Sequence, residues 1–182
     1  MSLRLGDAAA WVAAVGTVGT LVAALIQISS ERNKRLEAQR FAALEHDREQ
    51  ARRITAWYEH NPDDETSSWL RILNQSLEPI YEVVAGVVFI QGAAPHSLET
   101  VAAGFMHLLA TVAIVPPGEW RVQLPTPGGG MFIRPSAEIA FTDASGRHWL
   151  RRSRGAMESL SLGAVDYLAL DRPIDWVLAE NA

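Results

Sequence analysis

Residues 8–28 read AAAWVAAVGTVGTLVAALIQI, a run without a single charge, in which only Thr17, Thr20 and Gln27 are polar. As a helix rising about 1.5 Å per residue, the run extends roughly 30 Å, the thickness of a bilayer's hydrocarbon core. It is too long and too apolar on every face for a buried helix of a soluble domain. A cleaved export signal is the competing reading. It would need a basic leader and a small-residue cleavage site, but Arg4 is opposed by Asp7 and the run gives way to Gln27, Ser29, Ser30 and then charged residues. The expectation is therefore a retained, single N-terminal transmembrane helix at 8–28, with residues 1–7 as a short tail.

Arg32, Lys34, Arg35 and Arg40 follow the apolar run closely, whereas only Arg4 and the amino terminus precede it. The positive-inside rule then expects the C-terminal bulk in the cytoplasm. Lys34 is the only lysine in an Arg-, Ala- and Gly-rich chain, a composition that suggests a GC-rich bacterial coding sequence and hence the inner (plasma) membrane of a bacterium. Small residues recur along the anchor at helical spacing, with Ala9, Ala13 and Thr17 on one strip and Gly16 and Thr20 on its neighbour. Such strips allow close backbone approach, so self-association through the anchor is expected.

Residues 29–53 contain neither Pro nor Gly and are rich in helix formers, which predicts a charged connecting helix. Leu36, Phe41, Leu44, Ala51 and Ile54 make no clean heptad, because Arg40 and Arg48 interrupt the seam. Two readings stay open: a short coiled-coil stalk contributing to self-association, or a helix lying along the domain or the lipid headgroups.

Beyond residue 53 the texture changes to short extended runs separated by turns. Strands are predicted at 54–59, 68–74, 80–90, 110–115, 119–124, 138–142 and 147–151. In SWLRILN, Trp69, Arg71 and Leu73 fall on one face and Leu70 and Ile72 on the other. Gly86 inside the longest run points to a bulge or close packing, and Asp143-Ala144-Ser145-Gly146 to a hairpin turn. Residues 98–109 fit helix or strand equally. The fold class is thus mainly β: a transmembrane helix and a juxtamembrane helix followed by a compact β-sandwich-like domain at 54–160. Trp57, Trp69, Trp120 and Trp149 are assigned to its core. In the C-terminal tail, 161–182, Ile174, Val177 and Leu178 are expected to form a short docking helix after Pro173.

The anchor, the Arg-rich helix, the segment LRILNQSLEPIYEV at 70–83 and EIAFTDASGRHWLRR at 138–152 together resemble small membrane-anchored proteins of actinobacteria with a C-terminal β domain and no assigned activity. The resemblance implies a layout and carries no catalytic motif.

Of the formal net charge of −5, residues 61–182 carry eight basic and fourteen acidic groups, so nothing draws the domain to nucleic acid. The absence of cysteine removes disulfides, thiolate metal sites and cysteine nucleophiles. His46, His60, His96, His107 and His148 form no local ligand pair. His60 with Asp63 and Asp64 reads as a polar turn. Gly128 to Gly130 lacks the Lys-Ser/Thr of a phosphate loop. No catalytic, cofactor or metal residue is therefore assigned, and no cofactor is expected. One cluster stands out: Arg134, Arg147, Arg151, Arg152 and Arg154 fall within twenty-one residues of an acidic domain, a candidate basic edge for an acidic protein partner or lipid headgroups. The leading expectation is a non-enzymatic, membrane-tethered interaction or assembly subunit. The alternatives are a homo-oligomeric structural or pore-forming membrane protein, or an anchored enzyme whose dispersed His and Asp residues converge.

Overall fold

The computed structural model describes residues 48–93, 95–128 and 132–182. The expected anchor, with its packing residues Ala9, Ala13, Gly16, Thr17 and Thr20, and the connecting helix up to residue 47 lie outside the described residues. Among the described residues no helix is long and apolar enough to cross a membrane.

A single helical turn, α1 (Glu49–Arg52), leads into β1 (Ile54–His60), β2 (Ser67–Asn74) and the long β3 (Ile80–Gln91). Then come α2 (Leu98–Gly104), a 3-10 turn (Met106–Leu108), β4 (Leu109–Val115), β5 (Gly118–Pro125), β6 (Arg134–Thr142), β7 (His148–Arg151), β8 (Met157–Leu160), α3 (Ala164–Tyr167) and β9 (Glu180–Asn181). The strands form two antiparallel sheets. Sheet A has the order β1-β2-β5-β9 and sheet B the order β4-β3-β6-β7-β8. The protein is mainly β, as its alternating apolar runs predict.

Alternation decides which residues meet between the sheets. Leu70, Ile72, Val122 and Leu124 of sheet A pack with Val83, Ala85, Val87, Ile139, Phe141 and Trp149 of sheet B. Each large apolar side chain taken fully out of water there contributes about 1.5–3 kcal/mol. The opposite face of sheet B is also buried. Val84, Ala140 and Leu150 lie under Leu98 of α2 and under Ala164, Val165 and Leu168. That double burial is why β3 reads as a nearly unbroken apolar run.

Gly86 allows the outer layer to form. A Cβ there would sit 2.8 Å from Leu98 Cδ1, 3.2 Å from Val101 Cγ1 and 3.4 Å from the Leu108 carbonyl oxygen, so its hydrogen lets α2 lie directly on β3. The pairing of β3 with β6 is irregular on both sides of it, between Tyr81 and Val84 and between Phe89 and Gln91. The ambiguity at 98–109 resolves into helix, then a 3-10 turn, then strand. Ser97 caps α2 by accepting from the Thr100 N–H at 3.3 Å, and the chain enters β4 only at Leu109.

The turns rest on buried polar residues. Asp143 is only 2 % exposed; its Oδ1 accepts from the Ser145 and Arg147 N–H groups at 2.9 Å, and its Oδ2 accepts from Trp149 Nε1 at 2.8 Å. The β6–β7 hairpin is thereby tied to the core. Asn74 donates to the Glu78 and Val115 carbonyls and accepts from Ser76, closing the β2–β3 connection.

The tail departs from expectation. The helix of this region is α3, upstream of Pro173, and residues 174–178 are not helical. Instead the Val177 N–H donates to the Thr111 carbonyl of β4 at 2.8 Å, and β9 pairs with β5. Ile174 packs against the outer core and Ala179 against the inner one. Sheet edges offer the backbone ready partners, whereas a helix this short has little stability of its own. The tail therefore straps the two sheets together.

Candidate interaction surface

The arginines of the expected basic edge part company in the fold. Arg134 opens β6 and is exposed; Arg147 lies in the β6–β7 turn, and Arg154 in the turn after β7, so β7 separates the two. Arg151 turns inward toward α1, where its guanidinium donates to the Ala51 and Arg52 carbonyls at 3.3 and 2.9 Å. Burial lowers the pKa of that guanidinium.

Arg152 is the hub of an ion network under α2. Its Nε donates to Glu158, its Nη1 to Glu99 and Glu138, and its Nη2 to Glu99 and Glu158, at 2.8–3.2 Å. All five donors of the guanidinium are thus engaged, and its pKa is raised by the bonds to Glu158 and Glu99. Glu138, 3 % exposed, also accepts from the Leu98 and Ser153 N–H groups. Burial would push the Glu99 carboxyl up, but hydrogen bonds from Arg152 and Tyr167 outweigh it and hold it at about 2. The network joins α2, β6, β8 and α3. A cavity of about 390 Å³ opens beside it, lined among others by His96, Glu138, Arg152 and Arg154, but Arg152 has no donor left to offer it. The run of arginines supplies one internal clamp and one helix cap in place of a continuous edge.

Among the described residues the histidines make separate contacts. His96 Nδ1 bonds the Phe89 carbonyl at 3.0 Å, His148 Nδ1 bonds Thr142 Oγ1 at 2.8 Å, and His107 stands beside the Phe105 ring. Asp63 and Asp64 belong to a turn, in which the Thr66 N–H and Oγ1 donate to Asp64. Among the described residues no three His, Asp or Glu side chains come together as a metal site. A smaller cleft of about 220 Å³ runs between Glu82 and the tail at Arg172, Pro173, Ile174 and Trp176.

The outer face of sheet A is built differently. The register aligns Trp57, Arg71 and Arg121 across β1, β2 and β5, and Glu59, Trp69 and Gln123 in the adjacent row. Arg71 is held between Glu59 and Glu119, with Nη1 2.8 Å from Glu119 Oε1. The Arg121 guanidinium stacks 4.2 Å from the centre of the Trp69 ring and pairs with Glu180 of β9 at 3.4 Å. Trp57 and Trp69 remain only half-buried on this face. Of the four tryptophans assigned to the core, Trp149 is in it and Trp120 packs against it, while Trp57 and Trp69 are outside. The alternation in SWLRILN already placed Trp69 with Arg71, opposite Leu70 and Ile72. An indole is amphipathic, so the strand's alternation, not hydrophobicity, decides which face it takes.

β1 is also an edge. Among the described residues it pairs with β2 alone, over seven residues without Pro, Lys or Gly. The other edges are protected: β8 has four residues and β9 two, and the tail meets β4 at Thr111.

A scan against protein-family models and searches of curated proteins and of solved structures found no match to this chain.

Proposed function

We propose that this protein is a non-enzymatic, membrane-tethered assembly subunit, held in the bacterial inner membrane by residues 8–28, with sheet A as its binding surface on the cytoplasmic side. One observation carries the reading. Sheet B is covered on both faces, whereas among the described residues no element lies over the outer face of sheet A, which sets two half-buried tryptophans beside two arginines. Tryptophan and arginine concentrate binding energy in protein interfaces, because each offers a large rigid surface with a polar handle. Ion pairs already hold Arg71 and Arg121 in place, which reduces the ordering cost of binding.

The test uses the whole chain in a bacterial host. After an alkaline carbonate wash the protein should remain with the membranes, and a photo-crosslinking residue at Trp69 should give an adduct of discrete mass that the same residue at Ser145, in the exposed hairpin turn, does not. Release by carbonate would overturn the tether. Equal or absent crosslinking at the two positions would overturn the binding face.

A further inference from the structure

Resting on the membrane tether of that reading, we infer that sheet A, apart from whatever its outer face binds, takes up a second copy of this chain at its β1 edge, the two β1 strands pairing antiparallel into one continuous sheet. Among the described residues β1 has a neighbour on one side only, and a seven-residue strand so placed presents alternate N–H and C=O groups outward. Folded proteins blunt such an edge with charges such as lysine, with proline, a bulge, brevity or a covering segment; β1 has no Lys or Pro, one carboxylate in Glu59, an unbroken register over seven residues, and no described strand beyond it. The charge and size of its residues point to its own copy.

Pairing about a two-fold axis through Trp57 sets each residue opposite a fixed partner. Trp57 meets Trp57 of the second copy, Ala56 meets Tyr58, Thr55 meets Glu59, and Ile54 meets His60. On the inner face a small residue faces a large one, and both Ala56 and Tyr58 already pack against the core. On the outer face the two indoles form an aromatic cross-strand pair, the kind that adds most to sheet stability. Glu59 is the strand's one carboxylate, and it faces Thr55, so no two like charges meet. A slip of one residue would lose the symmetric Trp57 pair. The axis lies about 10 Å from Ile54 in each copy, so the two β1 strands begin about 20 Å apart, at opposite ends of the pair. Two anchored copies share one membrane and meet at raised effective concentration. The interface is isologous, so it closes at two copies.

The absence of cysteine permits a direct test on the full chain, in nanodiscs or, where it proves soluble without them, in buffer. Directly opposed residues of antiparallel strands stand about 4.5–5.5 Å apart at Cα, within disulfide reach. Under mild oxidation Trp57→Cys should form a covalent dimer, and Trp69→Cys on the inner strand should not. Thr55→Cys mixed with Glu59→Cys should crosslink with each other and neither with itself, which tests the register without touching Trp57. By native mass, wild type should be a dimer and Trp57→Lys should reduce the dimer fraction at least about tenfold, since like charges would face each other across the axis. A dimer that persists in Trp57→Lys, a Trp57→Cys adduct with a different protein, or failure of the Thr55–Glu59 crosslink would each overturn the pairing. Failure to enter nanodiscs would overturn the tether alone, because the crosslinks are still read in buffer.

Discussion

The two sheets share one core and treat their other faces in opposite ways. Sheet B turns its outer face to α2 and α3 and places its main ion network beneath them, with Glu138 almost completely removed from water. Sheet A pairs its half-buried Arg71 and Arg121 with the more exposed carboxylates of Glu59, Glu119 and Glu180, joining neighbouring strands. The same residue type therefore does different work. Under α2, Arg152 compensates a buried carboxylate, whereas on sheet A the arginines order a surface. Arg71 and Arg152 are equally buried, so the burial of the carboxylate each one compensates sets the cost of losing it.

Substitutions on the two sheets should separate these roles. The largest effect is expected for Phe141→Ala, fully buried between the sheets, at about 3–5 kcal/mol of unfolding free energy in denaturant titration. Arg152→Met should come next, at about 3 kcal/mol, because Glu138 would stay buried without its counter-charge. Gly86→Ala should cost about 1–3 kcal/mol by driving a methyl group into Leu98 and Val101. Arg71→Ala should cost no more than about 1 kcal/mol, because the Glu59 and Glu119 carboxylates it leaves behind reach water, while weakening association. A cost for Arg71→Ala equal to that of Arg152→Met would erase the distinction between the sheets.

Acid gives an effect with a definite sign. The Glu99 carboxyl is held at about 2 in the folded state, against an ordinary value of 4.5. The unfolded chain therefore takes up the proton first, and stability is lost as pH falls from about 4.5 toward 2. Glu99→Gln should flatten the acid limb of a pH-stability curve over that interval and leave its neutral plateau free of slope. An unchanged acid limb would show that the Arg152 network does not govern acid stability.

The positions and polarity of the strands were legible because alternation is local: a residue and its second neighbour share a face wherever the strand is placed. The Asp143 turn was legible for the same reason, since its partners lie within six residues. Gly86 signalled close packing without revealing what approached it. The arginine run misled because proximity in sequence does not survive a hairpin. Arg151 and Arg152 are consecutive, yet one caps α1 and the other clamps α2. The tail misled because its fate depended on edges that exist only once β4 and β5 are placed.

By itself the sequence determined an apolar N-terminal run of membrane length, a mainly β domain, and the alternation that divides Leu70 and Ile72 from Trp69 and Arg71. The tertiary structure alone decided that, among the described residues, sheet B would be covered twice and sheet A once, that β1 would be an edge, and that Arg152 would be spent internally. These depend on which strand lies beside which, a consequence of packing between distant segments that no local period encodes.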